Sequence, residues 1–275
     1  MARTLTFLLV VLLPSPAATW GPEGHALVVR AALAARPELP GWFLEAGDAL
    51  AELANAPDRW RTLDESIPAL AARRPDHFFD LDDWGRAPLP ADRWTYVQRA
   101  TRRGLHPEAV GFLPFAILEE YGVLVSAFRD ARAGRAGAQA EALAAAGVLA
   151  HLAGDAAVPL HATRHHHGWV GRNPGGFTRS PGVHHWFESD LVSRVDATHL
   201  RTGSGEVQRL RDVSAAVDGA LAESLSLVPR LYELERRSRV QHQDEGAVAL
   251  VEERLSAGAR LVARLWRTAW SRSAR

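Results

Sequence analysis

The segment 151–161 combines imidazole and carboxylate side chains at spacings that suit metal binding. It reads HLAGDAAVPLH and contains His151, Asp155 and His161. On a helix, His151 and Asp155 stand one turn apart on the same face, so both side chains can reach one point. Pro159 is expected to end the helix and to redirect His161. The segment therefore predicts three metal ligands that approach from two directions. The alternative is a pair of satisfied core histidines beside a helix-terminal Asp.

A second one-turn pair follows in the segment HHWFE. His184 and Glu188 repeat the His-carboxylate spacing, whereas His185 faces away. The chain contains no cysteine, which excludes disulfides, thiolate metal sites and Cys nucleophiles. Any metal must therefore be held by His, Asp, Glu or backbone groups, and many of the 12 histidines lie between 151 and 185.

The sequence WGPEGH offers a different kind of ligand. If the chain is cut between Thr19 and Trp20, the free α-amino group of Trp20 and its own carbonyl oxygen can chelate a metal, and His25 could complete the site. The alternative makes Trp20 a core aromatic residue and His25 a helix N-terminal residue.

Two further candidates, Asp58 and His77, lie at the edges of apolar segments. Asp58 falls in a polar, Pro-containing stretch that predicts a loop, where an Asp is usually a turn or cap residue. The carboxylates of Asp80, Asp82 and Asp83 are expected to be capping or solvent-facing groups rather than ligands.

The elements that must position these residues are helical. Apolar residues recur at three-to-four spacing and nothing alternates with period two, which predicts a single all-helical bundle whose ligands project between helices. Gly, Pro and the run His165-His166-His167 predict a long loop over 163–182, with histidines that are solvated or face the approaching substrate. The expected helices cover 26–36, 41–55, 107–128, 140–157, 207–231 and 246–270.

Composition and the N-terminus limit the partners and the location. The 32 basic and 32 acidic side chains balance, so stable binding of duplex nucleic acid is not expected.

Residues 1–19 have a basic start, an apolar core over Leu5–Leu13 and a small-residue end, which predicts a signal peptide. We expect the domain 20–275 to be secreted or periplasmic, without a transmembrane anchor.

With these residues in this order, the chain resembles the superfamily of zinc-dependent phospholipases C and single-strand-specific nucleases. The resemblance covers nearly all of 20–275 and implies an all-α fold with three zinc ions in a cleft between helices, held by nine residues. It implies one ion on Asp58, His77, His151 and Asp155, a second on His161, His184 and Glu188, and a third on Trp20, His25 and the bridging Asp155.

The chain departs from the family pattern at two points. Val158 stands where the family often has Gln, and the gap between Asp58 and His77 is longer than expected, which leaves Asp64 as the substitute ligand. Glu188 fits the phospholipase branch, since the nucleases usually place Asp there.

The resemblance implies a zinc-dependent phosphodiesterase, with a phospholipid headgroup as the leading substrate and single-stranded nucleic acid as the alternative. Asp58 is expected to accept a proton from the attacking water. The aromatic residues Phe78, Trp169 and Trp186 are candidates for contact with the headgroup or with a stacked base. A zinc-binding helical protein without catalysis is the alternative from another class.

Overall fold

The computed structural model describes residues 20–62, 67–85, 87–203 and 205–274. Within these ranges the chain is helical and contains no strand; one isolated bridge joins Phe79 and Gly111. The predicted all-α, single-domain fold is confirmed. No helix in the described part of the chain has the length and apolar character needed to cross a bilayer. The predicted signal peptide 1–19 and the alternative ligand Asp64 lie outside the described residues.

The N-terminal half of the chain is built from short helices up to one long helix. In order these are α1 (Gly21–Ala34), α2 (Gly41–Leu44), α3 (Gly47–Leu53), α4 (Ala56–Thr62), α5 (Pro68–Ala71), α6 (Leu81–Trp84), α7 (Arg93–Arg102), α8 (Pro107–Val110) and α9 (Leu113–Arg132).

The C-terminal half holds the central and the longest helices. They are α10 (Ala138–Asp155), α11 (Gly182–His185), α12 (Val213–Ser226), α13 (Val228–Gln241) and α14 (Glu245–Arg272). Single turns at Arg74–His77 and Pro159–His161 are 3₁₀, and the turn Trp186–Asp190 that continues α11 is π-helical.

Helix α10 is the centre of the bundle. Its residues from Ala145 to Asp155 are all buried, because an alanine-rich helix that is apolar on every side is stable only when neighbours cover it. Helices α9, α14, α1 and α3 pack around it. Small residues let the backbones approach closely: a Cβ added at Gly258 of α14 would lie 3.5 Å from the Cα of Gly154 and 3.4 Å from the Cβ of Ala157.

Several predicted helices are divided, and proline and glycine explain most of the divisions. Asp58 does not lie in a loop but in α4, because Pro57 occupies the first turn of a helix, where its missing N–H costs nothing. The expected helix 107–128 breaks at Gly111, which has φ +102. A Cβ at Gly111 would lie 2.0 Å from the carbonyl oxygen of Phe78, so only glycine fits there.

The remaining predicted helices differ mainly in their ends. The segment 41–55 forms two helices, α2 and α3, and the two expected C-terminal helices are three, since Pro229 starts α13 inside the first of them. These differences change the connections and leave the helix predicted over 140–157 intact as α10.

Candidate metal centre

The predicted ligands meet in three groups whose nitrogen and oxygen atoms lie within 4.8 Å of one another. They contain eight of the nine residues that the resemblance named. The groups are His25, His151 and Asp155; Asp58, His77 and His151; and His161, His184 and Glu188. Below, the first cluster means Asp58, His77, His151, Asp155 and His25, and the second cluster means His161, His184 and Glu188.

Helix α10 supplies the base of the first cluster. His151 and Asp155 share one face of the helix, and the His151 Nε2 lies 3.3 Å from the Asp155 Oδ2. His77 comes from the 3₁₀ turn before α6, and its Nδ1 lies 3.0 Å from both of those atoms. Asp58 approaches from α4, with 3.9 Å between its Oδ1 and the His151 Nε2. Three segments of the chain therefore converge on one point.

These distances fit a shared cation. Zinc binds imidazole nitrogen and carboxylate oxygen at about 2.0–2.2 Å with tetrahedral geometry, which places neighbouring ligand atoms about 3.3 Å apart. The separations in the first cluster range from 3.0 Å to 3.9 Å. The donor set is nitrogen and oxygen only, which zinc accepts.

His25 carries the clearest indication of a missing partner. Its side chain is fully buried and stacks on His151 with 3.8 Å between ring centroids. Neither ring nitrogen has a hydrogen-bond partner, which is costly for a buried imidazole. The Nε2 lies 3.6 Å from the Asp155 Oδ1 and 3.9 Å from the Asp58 Oδ2. Burial, followed by repulsion from His151, lowers the pKa of His25 to about 3, so the ring is neutral and can act as a ligand.

The second cluster is built from a turn and a short helix. His161 lies in the 3₁₀ turn that Pro159 starts, while His184 and Glu188 lie one turn apart across α11 and the π turn. The His184 Nε2 lies 2.9 Å from the Glu188 Oε1, and the His161 Nε2 lies 3.6 Å from the Glu188 Oε2. None of these four atoms has a hydrogen bond of acceptable geometry, although all are buried. The atoms therefore converge on a common point between them.

Backbone carbonyl groups orient three of the imidazoles. The Nδ1 atoms of His151, His161 and His184 lie 2.8 Å, 2.5 Å and 3.1 Å from the carbonyl oxygens of Ala54, His77 and His166 respectively. Since a carbonyl oxygen can only accept, each Nδ1 carries the proton and donates it. The Nε2 of each ring then faces its cluster, which is the arrangement that zinc-binding histidines use.

The charges of the two clusters are linked through Asp155. Burial by itself would raise the pKa of this carboxyl group, but His151 and His161 outweigh it and hold the pKa well below its usual range. Burial opposes the charged form of His161, yet Asp155 and Glu188 raise the pKa of His161 to about 9. The Asp155 Oδ1 lies 3.6 Å from the His161 Nδ1, so one carboxylate touches both clusters.

Trp20, the ninth predicted ligand, lies directly beside the first cluster. Its indole is fully buried, donates to the carbonyl oxygen of Gly154 at 3.1 Å and lies 5.9 Å from the ring of Phe187. Its carbonyl oxygen accepts from the N–H of Gly24 at 3.1 Å, at the start of α1. Trp20 is thus a core aromatic residue beside His25, and its role as an amine ligand stays a prediction because residue 19 lies outside the described part.

The histidine run 165–167, which lies between His161 and His184 in the sequence, is less exposed than predicted. His165 and His166 are half-buried and only His167 is exposed. The ring of His167 lies 5.2 Å from that of His184, and the ring of His166 lies 6.1 Å from that of Phe78. The three aromatic candidates Phe78, Trp169 and Trp186 are all half-buried. Trp169 is packed against His165, Phe177 and Tyr232, and Trp186 lies 6.3 Å from Phe187, whereas Phe78 is the one whose ring lies next to His166.

The expectation that Asp80 faces solvent is wrong. Asp80 is 3% exposed and follows an extended segment that pairs with the turn carrying His161: the Phe79 N–H donates to the His161 carbonyl at 2.8 Å. Burial, together with Asp83 and Asp82, raises the pKa of Asp80 to about 8. The apolar neighbours Phe79 and Leu81 are the sequence signal that could have indicated burial. The three orienting carbonyl groups have no sequence signal, because every residue carries one.

No protein-family model matches the chain, and no curated protein matches it significantly.

Proposed function

We propose that this chain is a zinc-dependent phosphodiesterase, and that its most favoured substrate is a phospholipid, cleaved as by a phospholipase C. The observation that carries the proposal is the meeting of eight His, Asp and Glu side chains in three adjoining groups, all of them buried except Asp58. A buried imidazole or carboxylate without hydrogen-bond partners is costly, and a bound cation removes that cost. Linked cation sites suit reactions in which negative charge builds on a phosphoryl group.

The three groups fit zinc in donor type and spacing, and each could hold an ion: Asp58, His77 and His151; His25, His151 and Asp155; and His161, His184 and Glu188. When bound, zinc lowers the pKa of a coordinated water towards neutrality and polarises a phosphoryl oxygen. The chain's own contribution is to fix the imidazoles through backbone carbonyl groups and to exclude solvent from the buried ligands.

Asp58 is the residue that we assign to proton transfer. Its side chain is 20% exposed, whereas the side chains of His25, His151 and Asp155 are fully buried. A carboxylate that borders both the cluster and solvent can accept a proton from the attacking water and release it outward.

The choice of a phospholipid depends on two features. Glu188, rather than Asp, completes the second cluster, as in the phospholipase branch of the resemblance. The balanced charge of the chain offers no broad cationic surface for a polyanion. A single-strand-specific nuclease is the second candidate, favoured by the half-buried ring of Phe78 beside His166, which could stack on a base.

The test is to give zinc-loaded protein phosphatidylcholine vesicles and, separately, a single-stranded DNA oligonucleotide. We expect diacylglycerol and phosphocholine from the vesicles, and loss of both after chelation. Asp58→Asn should lower kcat by about 100-fold or more, the usual range for a positioned acid or base. Asp130→Asn, which alters a carboxylate on α9 that pairs with Arg135, is the matched control and should stay active.

Two results would redirect the proposal. Cleavage of DNA without cleavage of the vesicles would favour the nuclease. Inactivity on both substrates, with zinc bound equally by the wild type and by Asp58→Asn, would favour a zinc-binding protein without catalysis.

A further inference from the structure

One histidine outside the three metal groups organises the loop next to them. The Nδ1 of His165 accepts the backbone N–H of Val170 at 3.0 Å, and the ring stacks on Trp169 with 4.0 Å between centroids and 4° between planes. Since Nδ1 accepts, the proton of the neutral ring is on Nε2, which faces the Oδ2 of Asp82 at 3.9 Å. The His165 ring therefore links two positions of the same loop, 165 and 170, and also faces Asp82 of α6.

The backbone of the same residue is anchored to another helix. The hydroxyl of Tyr232, on α13, donates a hydrogen bond to the carbonyl oxygen of His165. The Tyr232 ring is fully buried and lies edge-on to Trp169, with 5.3 Å between centroids. Tyr232 thus holds the peptide after His165, while Trp169 packs on the ring of the same residue.

The next carbonyl group along the chain belongs to the metal centre. The carbonyl oxygen of His166 accepts from the Nδ1 of His184 at 3.1 Å, and the Nε2 of His184 lies 2.9 Å from the Oε1 of Glu188. A short path of contacts therefore runs from Tyr232 through two consecutive peptides to a ligand of the second cluster.

We propose that His165 and Tyr232 are positioning residues for the second cluster. They hold the peptide of His166 so that its carbonyl group fixes the tautomer and ring orientation of His184. Neither residue touches the reacting atoms. The inference rests on the proposed metal site, and it adds that the loop 163–181 is part of the metal-binding apparatus.

The test uses substitutions that separate the two contacts of the His165 ring. His165→Phe keeps an aromatic ring for Trp169 and removes the acceptor for Val170. His165→Asn removes the stacking ring and places an oxygen close to the position of Nδ1. The matched controls are His106→Phe and His106→Asn, at a histidine whose side chain is 84% exposed.

The main measurement is zinc binding by competition with a chromophoric chelator, together with the visible spectrum of the cobalt-loaded protein. His165→Phe should weaken one metal equivalent by about 10–100-fold, the range found when an orienting partner of a ligand is lost. The other equivalents should keep their affinity. His165→Asn should restore most of the lost affinity, whereas the His106 variants should bind like the wild type.

A second measurement does not need metal. Long-range ¹H–¹⁵N NMR of the metal-free protein should show His184 as the Nδ1–H tautomer in the wild type and a mixture of tautomers in His165→Phe. If the wild type binds no zinc, the proposed function fails, and this spectrum still decides whether the loop orients His184.

Unchanged metal binding together with an unchanged His184 tautomer in a folded His165→Phe variant would overturn the inference. If that variant does not fold, Tyr232→Phe takes its place, because it removes only the hydroxyl group and keeps the ring packing. Tyr232→Phe should weaken the same metal equivalent, and equal affinity for all equivalents would again overturn the proposal.

Discussion

The two clusters lie side by side but are held in different ways. The first cluster is centred on α10, a helix that is buried around His151 and Asp155. The helix itself fixes the positions of these two ligands. The second cluster stands on a 3₁₀ turn, a four-residue helix and a π turn, and its His184 depends on a carbonyl group from a long loop. A helix can therefore preorganise ligands by its periodicity, whereas ligands on turns need support from elsewhere in the chain.

The largest effect is expected at Asp155, which touches both clusters. Asp155→Asn keeps the size of the side chain and removes a negative charge that lies within 3.0–3.6 Å of nitrogens on His77, His151, His25 and His161. The zinc affinity of the first cluster should fall by more than about 100-fold, which exceeds the loss caused by removing an orienting partner of a ligand. The zinc affinity of the second cluster should fall by less. Competition titrations measure this, and a variant that retains the metal content of the wild type would contradict it.

A smaller and more local loss is expected at Glu188. Glu188→Gln removes the carboxylate that both His161 and His184 face. One metal equivalent should be lost while the remaining equivalents keep their affinity. Counting bound zinc by elemental analysis after dialysis gives the result. Equal loss of zinc from both clusters would show that they form one unit and are not held independently.

The stability of the metal-free protein should depend on pH through His161. Its pKa is about 9 in the folded protein and about 6.5 in an unfolded chain, because Asp155 and Glu188 favour the charged ring. The stabilisation by this ring is therefore complete below about pH 6.5 and is lost as the pH rises through 9.

Urea unfolding of metal-free wild type and His161→Gln between pH 6 and 9.5 tests this expectation. The difference in free energy of unfolding should be largest at pH 6 and should shrink towards pH 9.5. A difference that grows with pH would contradict the assignment of a charged His161 between two carboxylates.

The smallest effect is expected from a single methyl group beside His25. A Cβ at Gly154 would lie 3.2 Å from the His25 Nδ1, whereas a Cβ at Gly122 of α9 has no atom within 4 Å. Gly122→Ala should stabilise the protein by about 0.5–1 kcal/mol through helix propensity. Gly154→Ala should destabilise it by about 1–3 kcal/mol through overpacking.

Thermal unfolding of both variants gives the comparison, and zinc titration shows which group is affected. Only the metal equivalent associated with His25 should be weakened in Gly154→Ala. A stabilised Gly154→Ala variant would show that the His25 ring moves aside without cost.

The parts of the site that repeat with helical period could be predicted from the sequence. The pairs His151/Asp155 and His184/Glu188 follow from one-turn spacing, and the buried character of α10 follows from its alanine-rich composition. The positions of Asp58 and His77 could not be derived in this way, because their approach depends on how α4 and the turn Arg74–His77 pack against α10. The support from the loop 163–181 was missed for the same reason, since it arises from contacts between distant segments, whereas the burial of Asp80 had a local signal in its apolar neighbours Phe79 and Leu81.

The close packing at Gly258 links the site to the end of the chain. Helix α14 contributes no residue to either cluster, yet it lies against Gly154 and Ala157, which flank Asp155 in the chain. We expect that the metal centre is complete only when the 28-residue helix α14 has docked against α10. Loading with the ion would then follow this docking, and a variant that lacks α14 would be unable to retain the ion.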